Sequence, residues 1–166
     1  MKRSRGYFGI GAESISKPMN LGALMRTAHA FGASFTFSVS AAPSIRVAYN
    51  SDTSKSASHV PYYQWDSIGE MKLPRGCNLV GIELTEDAVD LPSFHHPQAA
   101  AYVLGGEARD LSPEMQALCS HIVKIPTRFC INLSLAGALV MYDRMIMMGG
   151  FPERPVVPGG PPGRSS

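Results

Sequence analysis

Three short segments hold the residues best suited to chemistry. The first runs from Asn20 to Arg26, "NLGALMR". The second is "YVLGGEARDLSPEM" (102–115), where an apolar run ends in Gly105, Gly106 and Glu107. The third is "KIPTRFCINLSLAGALVMYDRM" (124–145), where Ile125 and Pro126 precede Asn132, Leu133 and Ser134. On a helical wheel Leu21, Leu24, Met25, Ala28 and Phe31 form one apolar stripe, and Gly22, Arg26 and His29 cluster away from it. A glycine inside a helix costs roughly 1 kcal/mol relative to alanine. Open space beside Arg26 for an approaching group is a candidate compensation. An arginine can grip a phosphate bidentately, a geometry lysine reproduces poorly. Gly105 and Gly106 would let backbone approach a ligand where a Cβ would collide.

Each of these residues also has a purely structural reading. Arg26 can be a solvated helix residue or one half of a surface ion pair. Glu107 can cap the turn before "LSPEM", where Ser112 is an N-cap and Pro113 fits the first helical position. Asn132 can be a plain N-cap for the last helix, and it can cap while also orienting Glu107 or Arg26. Ser134 is more commonly a structural helix residue.

The elements that must position them alternate between strand and helix. "GYFGI" (6–10) reads as a short strand, and a helix follows over 20–31 with Asn20 as N-cap and Gly32 at its C′ position. "SFTFSV" (34–39) is a second strand, rich in aromatic and β-branched residues. Residues 43–62 are polar and punctuated, predicting a loop that can hold one helical turn. "NLVGIEL" (78–84) and "AAYVLG" (100–105) are apolar runs bounded by turn residues, as buried parallel strands are. "HIVKIP" (121–126) is a further strand ended by proline. The last helix, within "INLSLAGALVMYDRMIMMGG", is apolar nearly all round, so it is buried on several sides or buries one side in a partner chain. The tail, "FPERPVVPGGPPGRSS", is Pro/Gly/Ser-rich and is expected to be disordered. The pattern predicts one α/β domain over residues 1–150, built on a parallel sheet, with residues 151–166 outside it.

Bulk properties narrow the function classes. The 166 residues suit a single domain with a real core. The apolar run "LSLAGALVMY" is shorter than the about 20 residues needed to span a bilayer. The N-terminus is basic without the apolar core of a secretory signal, so the expected location is cytoplasmic, with no membrane contact. Cys77, Cys119 and Cys130 are widely spaced with no C-x-x-C, which indicates neither a disulfide framework nor a zinc site. His95 and His96, in "LPSFHHPQ", have no partners at metal spacing and read as a solvated loop pair, so no metal is expected. "GIGAES" (9–14) offers G-x-G after a strand, but Ser14 stands at the third glycine position of a dinucleotide fingerprint and no clean helix start follows. No Walker sequence is present. A net charge of +2 neither identifies nor excludes a nucleic-acid binder.

Together, in this order and spacing, the three segments resemble the three motifs of the SpoU (TrmH-type) RNA 2′-O-ribose methyltransferases, within the SPOUT superfamily. The resemblance extends over residues 6 to about 149, and it implies a good deal. The domain would be an α/β fold whose C-terminal part forms a deep trefoil knot, an exception to the rule that chains do not thread loops. It would work as a homodimer with its active site near the subunit interface. S-adenosylmethionine would sit in the knot, held largely by backbone groups, in a pocket formed by Ile82, Leu104, Gly105, Ile125 and Cys130. The motif residues carried over as catalytic are Asn20, Arg26, Glu107 and Asn132. His29 shares the Arg26 face and could lie on the dimer surface. RNA, tRNA in preference to rRNA, would be the substrate, with Arg46, Lys55, Arg109 and Arg128 as candidate phosphate contacts.

The chemistry of such a reaction can be stated from first principles. Methyl transfer to a ribose hydroxyl is an in-line displacement at a sulfonium carbon. It needs the reactants aligned and the hydroxyl proton removed or polarised. A guanidinium, with a pKa above ~12, is a poor base at neutral pH, so Arg26 is better suited to positioning a phosphate that assists deprotonation. Two departures from the family pattern stand out. Asp110 occupies a position where glycine is usual, and Cys130 one where serine is common. Two other functions compete: a non-catalytic knotted RNA-binding protein, and a methyltransferase acting on a base or a protein.

Overall fold

The computed structural model describes residues 6–51 and 59–163. Seven strands form one sheet in the order β3-β2-β1-β6-β4-β7-β5, and every neighbouring pair is parallel. The strands are β1 (Tyr7–Glu13), β2 (Phe35–Val39), β3 (Tyr62–Trp65), β4 (Asn78–Ile82), β5 (Val89–Asp90), β6 (Ala99–Gly105) and β7 (His121–Lys124). The helices are α1 (Pro18–Ala30), α2 (Pro43–Ser51), α3 (Pro113–Leu118) and α4 (Leu133–Met148).

Strand alternation divides the core between two faces. Phe8, Ile10 and Ala12 of β1 join Tyr102 and Leu104 of β6 beneath Leu21, Leu24 and Ala28 of α1 and Ala136, Val140 and Met141 of α4. Phe35, Phe37, Ala101 and Val103 face the other way, with Leu111 and Met115. The G-x-G of β1 belongs to this second face. A Cβ on Gly9 would stand 2.3 Å from the Phe35 ring, and one on Gly11 would stand 2.6 Å from the Phe37 ring. These glycines make room for aromatic rings inside a strand and do not cradle phosphate.

Several expected boundaries move. Helix α1 begins at Pro18 with Lys17 as N-cap, so Asn20 is the third helical residue and not a cap. Pro18 opens the helix, because its missing N–H belongs to the first turn, where no intrahelical partner exists. Gly32 does take the left-handed conformation, φ +75°. Residues 43–62 hold helix α2 and lead into strand β3, where a loop is expected from the polar composition. Ser112 caps α3 by accepting the Met115 N–H, with Pro113 opening the helix. Residues 151–163 carry neither helix nor strand. Among the described residues no helix is long and apolar enough to cross a membrane.

A buried polar network fastens α4 to β6. Arg144 is 2% exposed and His96 1% exposed, so His96 is no solvated loop residue. Arg144 Nη1 donates to Pro97 O at 2.8 Å and to Tyr102 Oη at 2.9 Å, and Nη2 donates to Gln98 O at 3.0 Å. Its guanidinium lies 5.0 Å from the Phe8 ring centroid. Nε2 of His96 faces the acceptor-only carboxylate of Asp143, so in the neutral imidazole Nδ1 accepts the Tyr102 hydroxyl proton, at 2.7 Å. That leaves the proton on Nε2, which donates to Asp143 Oδ2 at 2.8 Å. Burial, the largest influence, lowers the His96 pKa from 6.5 against the opposing pull of Asp143. Burial likewise pushes Tyr102 up to about 12.

Candidate functional site

Ligands in parallel α/β sheets bind outside the carboxyl ends of the strands. Here those ends, at Ile82 of β4, Leu104 and Gly105 of β6 and Ile125 just past β7, open into a cavity of about 550 Å³. The remaining walls come from Lys17 and Asn20 at the start of α1, the 106–110 loop, Thr127 and Cys130–Leu133, and Ala136 of α4. All five residues expected to hold a cofactor, Ile82, Leu104, Gly105, Ile125 and Cys130, line this one space.

The polar residues of the three motif segments meet on its rim. Glu107 accepts hydrogen bonds from the Ser16 N–H (2.8 Å), Ser16 Oγ (2.9 Å), the Lys17 N–H (3.0 Å) and Asn20 Nδ2 (2.9 Å). Asn132 Nδ2 donates to Asn20 Oδ1 at 3.2 Å. Asn132 Oδ1 in turn accepts the Ser134 N–H at 2.9 Å, capping α4. One chain of hydrogen bonds therefore runs from Glu107 through Asn20 and Asn132 to Ser134, joining segments more than a hundred residues apart. Lys17 at the α1 N-cap has no side-chain cap bond. Glu107 supplies a negative charge there instead, at the positive end of the helix dipole. It does not cap the turn before α3, which Ser112 caps itself.

Burial raises the Glu107 pKa, but the bonds from Asn20, from its own backbone and from Ser16 outweigh that and hold it at about 2, against an ordinary 4.5. A depressed folded-state pKa contributes stability that is complete above about 4.5 and disappears as pH falls toward 2. Glu107→Gln is therefore expected to lower stability at pH 7 by about 1–2 kcal/mol, after allowing for solvent screening. The difference from wild type should shrink steadily between pH 4.5 and 2. Urea unfolding at a series of pH values checks this; a difference independent of pH would show that the carboxylate charge is not what holds the loop.

Two further carboxylates were missed at the level of sequence. Glu13, buried at the end of β1, accepts the Ser112 N–H at 2.9 Å and Ser112 Oγ at 2.6 Å. Glu83, just past β4, accepts the Leu111 N–H at 2.8 Å. With Glu107 they pin the 106–112 loop at three points. The available signal was an acidic residue directly ending each apolar run. The glycines of this loop serve the protein's own backbone as much as any ligand. A Cβ on Gly106 would stand 2.3 Å from Ser14 O, and one on Gly105 would stand 2.8 Å from Arg109 O. Among the described residues only Ser14 and Ser40 have positive φ without being glycine. Asp110 therefore needs no left-handed conformation, and its departure from the glycine pattern carries no backbone strain.

Arg26 stands apart from the cavity. It is exposed on α1 and is not among the lining residues. Among the described residues it makes no ion pair. No described residue lies within 4 Å of a Cβ built on Gly22, one turn from Arg26 on the same face. Of the candidate phosphate contacts, Arg109 lines the cavity and Arg128 is exposed. Arg46 is already engaged with Asp66 at 2.8 Å. Lys55 lies outside the described residues. No group of three or more His, Cys, Asp or Glu that could hold a metal occurs among the described residues.

Comparison with known proteins finds relatives over most of the chain. The tRNA (guanosine(18)-2′-O)-methyltransferase of Thermus thermophilus is 28% identical over 165 residues, covering 93% of this chain and 84% of that protein. The tRNA (guanosine(18)-2′-O)-methyltransferase TARBP1 of Mus musculus is 28% identical over 156 residues, 84% of this chain but only 10% of the mouse protein. The SpoU methyltransferase AviRb from Streptomyces viridochromogenes, in complex with the cofactor AdoMet, superposes with a TM-score of 0.74 at 24% identity, over 87% of this chain and 58% of that one. A family profile matches residues 8–142, a span that takes in α1, the pinned loop and the start of α4 together. The chain belongs to the SpoU rRNA Methylase family.

Proposed function

We propose that this protein is an S-adenosylmethionine-dependent RNA methyltransferase that methylates a ribose 2′-hydroxyl, with tRNA as substrate. The observation that carries the reading is the hydrogen-bonded chain Glu107–Asn20–Asn132, assembled from three separate segments on the rim of a cavity that holds every residue expected to touch the cofactor. Binding RNA alone has no need of such an array. The cavity's volume lies within the ~300–1,000 Å³ usual for small-molecule sites. Its apolar floor of Ile82, Leu104, Ile125 and Leu133, below exposed loop backbone, suits a nucleoside with a polar rim. When bound there, S-adenosylmethionine supplies an activated methyl group on a sulfonium.

The chain's own residues do the rest. Asn20 and Asn132 fix the relative position of α1 and α4, while Glu107 ties the loop after β6 to the start of α1. Arg26 holds a substrate phosphate in the open space beside Gly22, so that the hydroxyl is oriented and the phosphate assists its deprotonation. Arg109, on the cavity rim, and Arg128 contribute to RNA binding. The reading includes a domain over residues 1–150 with a C-terminal trefoil knot, a cytoplasmic location and a homodimer. Exposed Leu135, Leu139, Tyr142 and Ile146 support the dimer. They fall at i, i+4, i+7 and i+11 of α4, one continuous apolar stripe.

The test is transfer of labelled methyl from S-adenosylmethionine to total RNA from cells lacking this gene, for wild type and Arg26→Ala. Incorporation that vanishes in the variant supports the reading, and the size of the labelled RNA separates tRNA from rRNA. Nuclease resistance at the modified phosphodiester locates the methyl on the ribose. Saturable cofactor binding without incorporation into any RNA would favour a knotted binding protein instead.

A further inference from the structure

The open face of α1 continues past Arg26. Gly22, Arg26 and His29 stand at i, i+4 and i+7, and all three are exposed. Residues three or four apart on a helix are surface neighbours, with Cβ atoms about 5–6 Å apart. A residue from a different part of the chain joins them. The ring of His59, just before β3, lies flat against the ring of His29, with centroids 4.7 Å apart and planes 4° from parallel. Both imidazoles are solvent-exposed.

Two stacked exposed rings present flat π surface at the solvent boundary. Single-stranded RNA is recognised through such surfaces, on which unstacked bases lie against aromatic or histidine rings. Paired histidines elsewhere often mark a metal, but no third ligand gathers with these among the described residues. A peptide or lipid partner would call for a broad apolar surface here, and beyond exposed Met19 at the start of α1 the face offers a glycine gap, a guanidinium and two imidazoles. The neighbouring Arg26, without an ion pair among the described residues, and the space those residues leave at Gly22 add a backbone-phosphate contact to the stacking surface.

We propose that His29 and His59 form a base-stacking platform for a nucleotide adjoining the one whose phosphate Arg26 holds, so that the pair sets the path of the RNA strand across α1. This rests on the RNA methyltransferase reading above. The flat surface is the active feature, so phenylalanine should replace histidine in it and alanine should not.

The experiment measures binding of fluorescently labelled, unfractionated tRNA by anisotropy. Wild type is compared with His29→Ala/His59→Ala and with His29→Phe/His59→Phe. The alanine pair is expected to weaken binding at least about tenfold, with the phenylalanine pair within about twofold of wild type. Calorimetric binding of S-adenosylhomocysteine and the size-exclusion profile should be the same for all three proteins. Unchanged tRNA affinity in the alanine pair, or equal losses in both pairs, would overturn the platform. So would a change of oligomeric size accompanying the loss. Methyl transfer measured in parallel separates the two readings. A wild type that methylates tRNA while both pairs bind alike retains the enzyme and removes the platform. A wild type that shows the alanine–phenylalanine split without any methyl transfer retains the platform as an RNA site and removes the enzyme.

Discussion

Arg26→Lys is expected to bind tRNA within about threefold of wild type while methyl transfer from S-adenosylmethionine falls by about 100-fold or more. The charge survives the substitution, so the long-range attraction to phosphates survives with it. What is lost is the planar fork of donors that fixes a phosphate in two contacts at once. An ammonium on a flexible stem makes point contacts, and a displacement of about 1 Å in a reacting group can cost 100-fold in rate. The exposed position of Arg26 makes the variant a clean test, since substitutions at such positions change stability by no more than about 0.5 kcal/mol. Single-turnover transfer rates alongside tRNA binding isotherms provide the check. Full activity in the lysine variant would remove the bidentate role, and joint loss of binding and transfer would recast Arg26 as a general RNA contact.

The second large effect is on stability. Arg144→Met should cost about 3–5 kcal/mol, the range for breaking a buried charged network by removing one partner. Methionine fills much of the space over the Phe8 ring but leaves Pro97 O and Tyr102 Oη without the Arg144 donors they now have, while Gln98 O keeps the Tyr7 N–H. Such uncompensated buried acceptors cost about 1–3 kcal/mol each. The same network sets a pH dependence of unusual sign for a histidine. The His96 pKa is lowered by burial, so the unfolded chain takes up the proton first as pH falls. Stability contributed by His96 is complete above about 6.5 and declines below it. Urea unfolding of wild type and Arg144→Met at pH 5.5 and 7.5 checks both statements. A loss under about 1 kcal/mol for the variant would mean that the carbonyls find water or other donors.

Most of the sheet could be read from local pattern, because buried parallel strands are short apolar runs between turn residues, and five of the seven strands were plain. Strand β3 was not, since "YYQW" at the sheet edge is only half-buried and follows a polar stretch. The start of α1 was misplaced because its cap is remote: an Asn at position 20 looks like a cap to anyone counting periodicity, while the charge that stabilises the helix start comes from Glu107. Glu107, Asn20 and Asn132 were legible as a set through motif resemblance, but their order in the hydrogen-bond chain was not. That order depends on which strand ends lie side by side. Glu13 and Glu83 stayed hidden for the same reason, as did the His29–His59 stack. His96 looked like loop surface because its neighbours are prolines and a polar glutamine; burial came from α4, which passes over it some fifty positions later.

The strand order also has a consequence for how the chain is made. The middle of the sheet pairs β1 with β6, setting Tyr7 beside Ala99, and β4 reaches the sheet only through β6 and β7. During synthesis β1 can find β2 early, but its second edge stays open until the chain has been extended past residue 105. Non-local parallel pairing is slow, and an apolar strand with a bare edge is a template for unwanted association. For this protein that strand is Phe8–Glu13, whose side chains are all buried in the finished structure. The interval between translation of β1 and of β6 is therefore the time during which that apolar edge has no partner strand.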